Sequence, residues 1–332
     1  MREPGFWWRK AGLQAALLAP VAFGYGAVAA GRMAKTGPRA GLPVLCVGNF
    51  TLGGAGKTPA AIALAKMLTE AGEKPFCLSR GYGGSIAWPK LVDAHHDHAD
   101  QVGDEALLLA QAAPTIVSRD RPAGAALAQS QGASAIIMDD GLQNSSLEKD
   151  FTLAVVDGKR GIGNARVFPA GPLRAPLAAQ LARTDALLVM GDGDGARDVA
   201  SLAEKRGLPV LHGRLRPDHG AVESLKARKV LAFAGIGDPE KFFATAVAAG
   251  IAVSKRKAFP DHHRYTAEEA AALEMDADSE GLSLLTTEKD RARMTGDPAL
   301  HALATQVHVL PVALELDEPE KLRSQVMAAL RR

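Results

Sequence analysis

Read by its apolar and polar positions, the chain falls into three stretches. From Ala11 to Gly31 the only strongly polar residue is Gln14, so the run is about as long as a helix needs to be to cross a bilayer core. Pro20, Gly24 and Gly26 weaken it as a straight helix. Beyond it, short apolar runs without alternation are separated by segments of helical spacing. Strands are expected at Pro43–Gly48, Pro75–Ser79, Thr115–Ser118, Ala135–Met138, Phe151–Val156 and Ala186–Met190, and helices at Pro59–Ala71, Asp104–Ala112 and Arg121–Gln131. Strands apolar on both faces, alternating with amphipathic helices, predict a doubly wound α/β fold whose parallel sheet is covered on both sides. The Gly/Asp-rich stretch Gly191–Arg197 loosens the pattern, and a second set begins at Pro209–Leu215. Its strands are expected at Lys229–Ala234, Ala252–Ala258, Leu282–Thr286 and Val307–Leu314, and its helices at Pro239–Ala249, Thr266–Met275 and Pro319–Leu330. The expected organisation is an N-terminal helix (1–35), a core domain (36–215) and a smaller C-terminal α/β lobe (216–332).

One segment carries recognisable chemistry. Thr51-Leu52-Gly53-Gly54-Ala55-Gly56-Lys57-Thr58 follows an expected strand and opens an expected helix, the context a Walker A loop requires. Its glycines let backbone N–H groups turn inward around phosphate oxygens, and the helix N-terminus adds its positive end. Lys57 would reach the β- and γ-phosphates and Thr58 would ligate Mg²⁺. Pro59, early in the helix, loses no needed hydrogen bond. The first position of the usual loop is Thr51 rather than Gly. A strand ending in acid should face this loop, and Ala135-Ile136-Ile137-Met138-Asp139-Asp140 fits, since α/β sheets place ligand groups at the C-terminal ends of strands. Guanine-specific P-loop proteins carry Asn-Lys-x-Asp. Thr287-Glu288-Lys289-Asp290 puts Lys directly before Asp, so ATP is the expected nucleotide.

Composition adds limits. With 332 residues, 47% of them hydrophobic, the chain can bury a sizeable core, and a net charge of +2 gives no field for nucleic acid. Cys46 and Cys77 each sit in an apolar run and read as buried, reduced thiols. Around the N-terminal apolar stretch, Trp7, Trp8, Arg9 and Lys10 precede and Arg32, Lys35 and Arg39 follow, as suits a membrane interface. A cleaved signal peptide competes, because Ala27-Val28-Ala29 is a small-residue pattern, and a buried core helix is a further reading. Export would carry an ATP site into a compartment without ATP. An uncleaved membrane-associated helix, spanning or lying in the interface, is therefore the expectation.

Taken alone, Asp104 reads as a helix cap, His262 as a structural histidine, and Arg80 and Arg174 as surface arginines. Together the motifs resemble the tetraacyldisaccharide 4′-kinase family of lipid A biosynthesis in Gram-negative bacteria. The resemblance runs from Trp7-Trp8 to about Leu314. It is carried by Val47-Gly48-Asn49, Gly53–Pro59, Ser79-Arg80-Gly81-Tyr82-Gly83, Val102-Gly103-Asp104-Glu105, Asp139-Asp140-Gly141-Leu142-Gln143, Pro169–Arg174, Phe233–Gly237 and Asp261-His262. Thr51 matches the family's habit at that position. The sequence departs from it at Asn144, where His is usual, and at Ala175, where Glu is usual.

The resemblance implies transfer of the γ-phosphate of ATP, with Mg²⁺, to the 4′-hydroxyl of a tetraacyl glucosamine disaccharide 1-phosphate. It implies Asp104 as base with His262 as its partner, Lys57 on the phosphates, and Asp139 and Asp140 with Thr58 on the metal. Arg80, Tyr82 and Arg174 would lie near phosphate or substrate, and the C-terminal lobe would contribute to the site. It also implies the cytoplasmic face of the inner membrane as location, the membrane surface and lipid precursor as partners, and no nucleic acid or obligate protein partner. A membrane-associated partitioning ATPase is the rival from another class, but the extra Lys of its loop is Leu52 here. A soluble P-loop ligase of cofactor biosynthesis would have no use for the apolar N-terminus.

Overall fold

The computed structural model describes residues 3–331; positions 1, 2 and 332, the outermost of the first and last expected segments, lie outside the described residues. The apolar runs become strands β1 (Val44–Asn49), β2 (Pro75–Ser79), β3 (Lys90–Leu91), β4 (Thr115–Val117), β5 (Ala135–Asp139), β6 (Phe151–Asp157), β7 (Ala186–Met190) and β8 (Val210–Pro217). A second lobe supplies β9 (Lys229–Ala234), β10 (Ala252–Ala258), β11 (Ser283–Thr286) and β12 (His308–Val309), and β13 (Val312–Leu316) follows.

Among the described residues the first sheet has nine strands in the order β13-β8-β7-β6-β1-β5-β2-β4-β3. From β8 to β4 neighbours run parallel, while the edge strands β13 and β3 are antiparallel. Every residue of β1, β2 and β5–β7 is buried, as a sheet covered on both faces demands. Helix α2 (Lys57–Glu70) lays Ala60, Ala61, Leu64, Ala65 and Leu68 on one face, beside Leu322, Val326 and Ala329 of the last helix, Pro319–Leu330. The second sheet, β10-β9-β11-β12, is parallel throughout, with separate apolar clusters around Phe243 and around Phe233.

Two expectations need correction. Val307–Leu314 is not one strand: it breaks at Leu310-Pro311, so β12 closes the second sheet and β13 pairs with β8 in the first. Proline has no N–H for a ladder, and the chain uses the break to change sheets. In consequence 216–332 is not a single lobe, because β13 and Pro319–Leu330 return to the core domain.

The N-terminal apolar run forms helix α1 (Leu13–Met33), long and apolar enough to cross a membrane. Only a narrow strip of it, Ala15, Ala22, Gly26 and Met33, is buried; Leu13, Leu17, Val21 and Phe23 are exposed. A Cβ at Gly26 would already touch the side chains of Pro176 at 3.4 Å and Val167 at 3.6 Å, so the helix packs closely on the core here. Trp7 is not an exposed interface aromatic: it is buried, and its Nε1 donates to the Pro169 carbonyl at 3.0 Å. The Arg160 guanidinium covers Trp8, 5.1 Å from its ring centroid.

Candidate active site

The topology brings the site together at the C-terminal ends of β1 and β5. These strands are parallel neighbours with Val47 opposite Asp139, so the acidic end of β5 flanks the chain entering the phosphate loop. The loop turns through Gly53 and Gly56, both at positive φ (95° and 90°), a backbone region that side chains resist. Its outer arm is strapped to the Pro169–Arg174 turn. Leu52 N–H donates to the Pro172 carbonyl (2.8 Å) and Arg174 Nε to the Thr51 carbonyl (2.9 Å). Inside, Asn49 Nδ2 donates to the Gly53 carbonyl at 3.2 Å. Ala55 and Thr58 are buried.

Lys57 Nζ lies 3.7 Å from Asp140 Oδ1, and Arg174 Nη1 reaches both Asp140 oxygens at 3.1 and 3.0 Å. Burial opposes the Asp140 charge, but Lys57 and Arg174 overrule it and hold the carboxyl below the usual range. Asp139 is the opposite case. It is buried, its Oδ1 has no hydrogen-bond partner among the described residues, and burial, with Glu105 and Asp140 nearby, pushes its carboxyl well above the usual range. An orphaned buried carboxylate beside a phosphate loop fits a bound divalent cation, whose charge would supply the missing partner.

A second centre is assembled beside the loop from both lobes, Asp104 coming from the first and His262 and Arg293 from the second. Helix Asp104–Ala110 starts at Asp104 with Gly103 as its N-cap, so Asp104 is not the cap. Its carboxylate is buried. Oδ2 accepts from Arg293 Nε at 2.7 Å and from Nη2, and Oδ1 accepts from the Glu105 N–H at 3.0 Å. Burial opposes this charge too, but His262, Arg293 and Lys289 together hold the carboxyl far below its usual value. His262, at φ 56°, points Nδ1 at Asp104 Oδ2 across 3.6 Å. Its side chain is 32% exposed against 3% for Asp104. Asp104 lifts the imidazole above its usual pKa against the effect of burial. The Tyr82 ring lies against it, centroids 4.9 Å apart.

Arg80 and Arg174 line one cavity of about 550 Å³, which also touches Leu52 of the loop and Tyr25, Val28 and Arg32 of α1. All the expected residues thus converge on one region, in two groups. Arg174 has an added task, since it braces the loop and Asp140 rather than standing free.

Sequence reasoning missed the partners. Lys289 Nζ donates to Glu105 Oε1 at 2.7 Å, and Arg293 holds Asp104; their order in the chain carried no recognisable spacing. Glu3 accepts from Trp8 Nε1 and Arg160 Nη1 (both 3.1 Å) and rests on Gly53, where a Cβ would collide with its carboxylate. Arg160 Nη2 also pairs with Asp238 of the second lobe at 2.9 Å.

The family profile for tetraacyldisaccharide-1-P 4′-kinase (LpxK) matches residues 14–331. The tetraacyldisaccharide 4′-kinase of Rhodopseudomonas palustris (strain BisB5) is 54% identical over 323 residues, 97% of this chain and 95% of that protein. That of Methylobacterium nodulans is 56% identical over 331 residues, 99% and 96% of the two chains. Among solved structures, the "apo" form of LpxK from Aquifex aeolicus in complex with ATP superposes with a TM-score of 0.74 at 26% identity, covering 95% of this chain and 99% of that one. With the family profile matched over residues 14–331 and relatives 54% and 56% identical over nearly the whole chain, the chain belongs to the tetraacyldisaccharide 4′-kinase family.

Proposed function

We infer that this protein transfers the γ-phosphate of ATP to the 4′-hydroxyl of a tetraacyl glucosamine disaccharide 1-phosphate, giving the bisphosphorylated lipid A precursor. The loop Thr51–Thr58 is the ATP site, with Lys57 on the β- and γ-phosphates. Thr58, Asp139 and Asp140 would hold Mg²⁺, which supplies charge neutralisation at the transferring phosphoryl group when bound. The orphaned Asp139 Oδ1 supports that assignment.

The proton of the sugar hydroxyl goes to His262 in this reading, which reverses the roles the family resemblance implies. The observation that carries it is the commitment of Asp104. Both its oxygens accept hydrogen bonds, one from a buried guanidinium, and a carboxyl held so far down is a poor base. His262 is the accessible member. With Nδ1 turned to Asp104, its Nε2 lies 3.9 Å from Asp261, too far for a hydrogen bond, and is free to take the proton. Asp104 then orients the imidazole and stabilises the imidazolium that forms. Tyr82, Arg80 and Arg174 border the acceptor: Tyr82 through its ring on His262, the arginines through the cavity that reaches α1.

That cavity joins the chemistry to the apolar helix, which supports a lipid acceptor presented from the membrane surface. The exposed side chains Leu13, Leu17, Val21 and Phe23 would anchor α1 at the cytoplasmic face of the inner membrane. Transfer of ³²P from ATP to the disaccharide lipid in detergent micelles tests the function. Lys57→Ala should nearly abolish it while the protein stays folded; near-normal labelling by that variant would sink the assignment.

A further inference from the structure

The run Thr287-Glu288-Lys289-Asp290 has the wrong spacing for reading a guanine base, and the reading above leaves it idle. It opens helix Glu288–Met294, which lies across helix Asp104–Ala110 of the other lobe. Two cations of that helix meet two acids: Lys289 with Glu105 at 2.7 Å, and Arg293 with Asp104 at 2.7 Å through Nε. Arg293 and Asp104 are both buried, with 7% and 3% of their side chains exposed.

The guanidinium does more than pair a charge. Its Nη1 donates to the Gly235 carbonyl at 2.6 Å and to Asp290 Oδ1 at 2.9 Å. Asp290 is fixed in turn, accepting from Tyr265 Oη at 2.9 Å and from the Gly235 N–H at 3.0 Å. The same Gly235 carbonyl accepts the His262 N–H at 3.0 Å, and His262 is held there in a left-handed conformation. Arg293 therefore touches the carboxylate of Asp104 and the carbonyl that seats the backbone of His262. It is the shared partner of a pair contributed by two lobes.

We propose that Arg293 is a positioning residue for the proton transfer: its planar fork sets the Asp104 carboxylate and the His262 backbone in one register, so that the pair forms only where helix Glu288–Met294 joins the lobes. The proposal rests on the reading of His262 and Asp104 given above. A guanidinium suits this task because it holds several acceptors in fixed directions and never loses its charge. It also tempers the field on His262. The groups facing that imidazole are Asp104 and Asp261, which raise its pKa, and Arg293, which lowers it, beside the Tyr82 ring. Around Asp104 stand Arg293, Lys289 and His262. Without the guanidinium, Asp104 acts undiluted on His262, which then needs a higher pH to be neutral.

The test is the pH profile of kcat for full-length R293Q and R293K, with saturating Mg²⁺-ATP and the disaccharide lipid in detergent micelles, and H262A run beside them. R293Q should lose about tenfold or more in kcat at neutral pH, with the KM for ATP within about twofold and the acid limb moved to higher pH. R293K keeps the charge but not the fork, so it should lose less and leave the acid limb in place. A folded R293Q with the kcat and acid limb of the parent overturns the proposal. So does a loss in R293Q with the acid limb unmoved, which marks a merely structural residue. Should R293Q not fold, R293K decides: reduced kcat at unchanged ATP KM supports the proposal and parental kcat overturns it. H262A with parental kcat would sink the reading of the pair itself, whereas an inactive H262A beside an unaltered R293Q sinks only the role of Arg293.

Discussion

Replacing Asp139 by Asn should stabilise the protein without metal while destroying its activity. Asp139 ends a strand with every residue buried, and its Oδ1 meets no donor among the described residues. A buried polar atom left unsatisfied costs about 1–3 kcal/mol, more when it is charged. The sign with pH follows from the direction of the shift. The folded-state pKa lies above the unfolded one, so the unfolded chain gives up the proton first as pH rises. The penalty is absent below the ordinary carboxylate range, grows as pH climbs toward the raised folded value, and is complete above it. Asn has almost the same shape and no charge, so it removes the share of the penalty that the charge adds and leaves only that of a neutral amide. Thermal unfolding of the metal-free proteins at pH 8 should show Asp139→Asn melting higher by a few degrees, at about 2–4 °C per kcal/mol for a domain of this class. The gap should close toward pH 4. Added Mg²⁺ with ATP should raise the melting temperature of the parent much more than that of the variant, because the carboxylate then gains its partner. A variant less stable than the metal-free parent at pH 8, or one stabilised equally by Mg²⁺-ATP, would refute the reasoning.

Two further outcomes follow from the same geometry. Because His262 must be neutral to take a proton and its pKa is raised by Asp104, kcat should fall with decreasing pH from a point above the ordinary imidazole value of about 6.5. Asp104→Asn should move that limb to lower pH and lower the plateau, as pH-resolved initial rates would report; an unmoved limb would mean that His262 is not the titrating group. Gly26→Leu should force α1 from its seat, since a Cβ at that position already lies 3.4 Å from the Pro176 side chain. Lipid phosphorylation should drop severalfold while ATP binding, followed by calorimetry, holds; equal loss of both would separate α1 from acceptor recognition.

Much of the fold was legible because its parallel sheet is buried on both faces. Uninterrupted apolar runs such as Ala135–Met138 and Phe151–Val156 mark such strands, and the structure places them in β5 and β6. The two-residue β3 was not legible, being too short to leave a period. Val307–Leu314 misled for another reason. Its apolar pattern is continuous, and only Pro311 marks where β12 ends and the chain crosses to β13 in the other sheet. Trp7 misled because an aromatic beside an apolar helix serves a membrane interface and a buried seat equally well, and the donation to the Pro169 carbonyl, 162 positions away, decides between them.

By itself, the sequence determined the chemistry that is local. A phosphate loop needs consecutive residues, with glycines where φ turns positive and a lysine at the head of a helix, so Thr51–Thr58 declares itself. The acid-tipped β5 does so too, since strand and acids are contiguous. The proposal for which group takes the proton rests on three dimensions. Asp104 and His262 are both visible in the sequence, but the roles proposed for them rest on the contact with Arg293, 189 positions from Asp104, and on which of the pair is left accessible. Charge acts through space, and what sets a carboxyl or an imidazole to its task is its neighbours in the folded protein, which no spacing along the chain records.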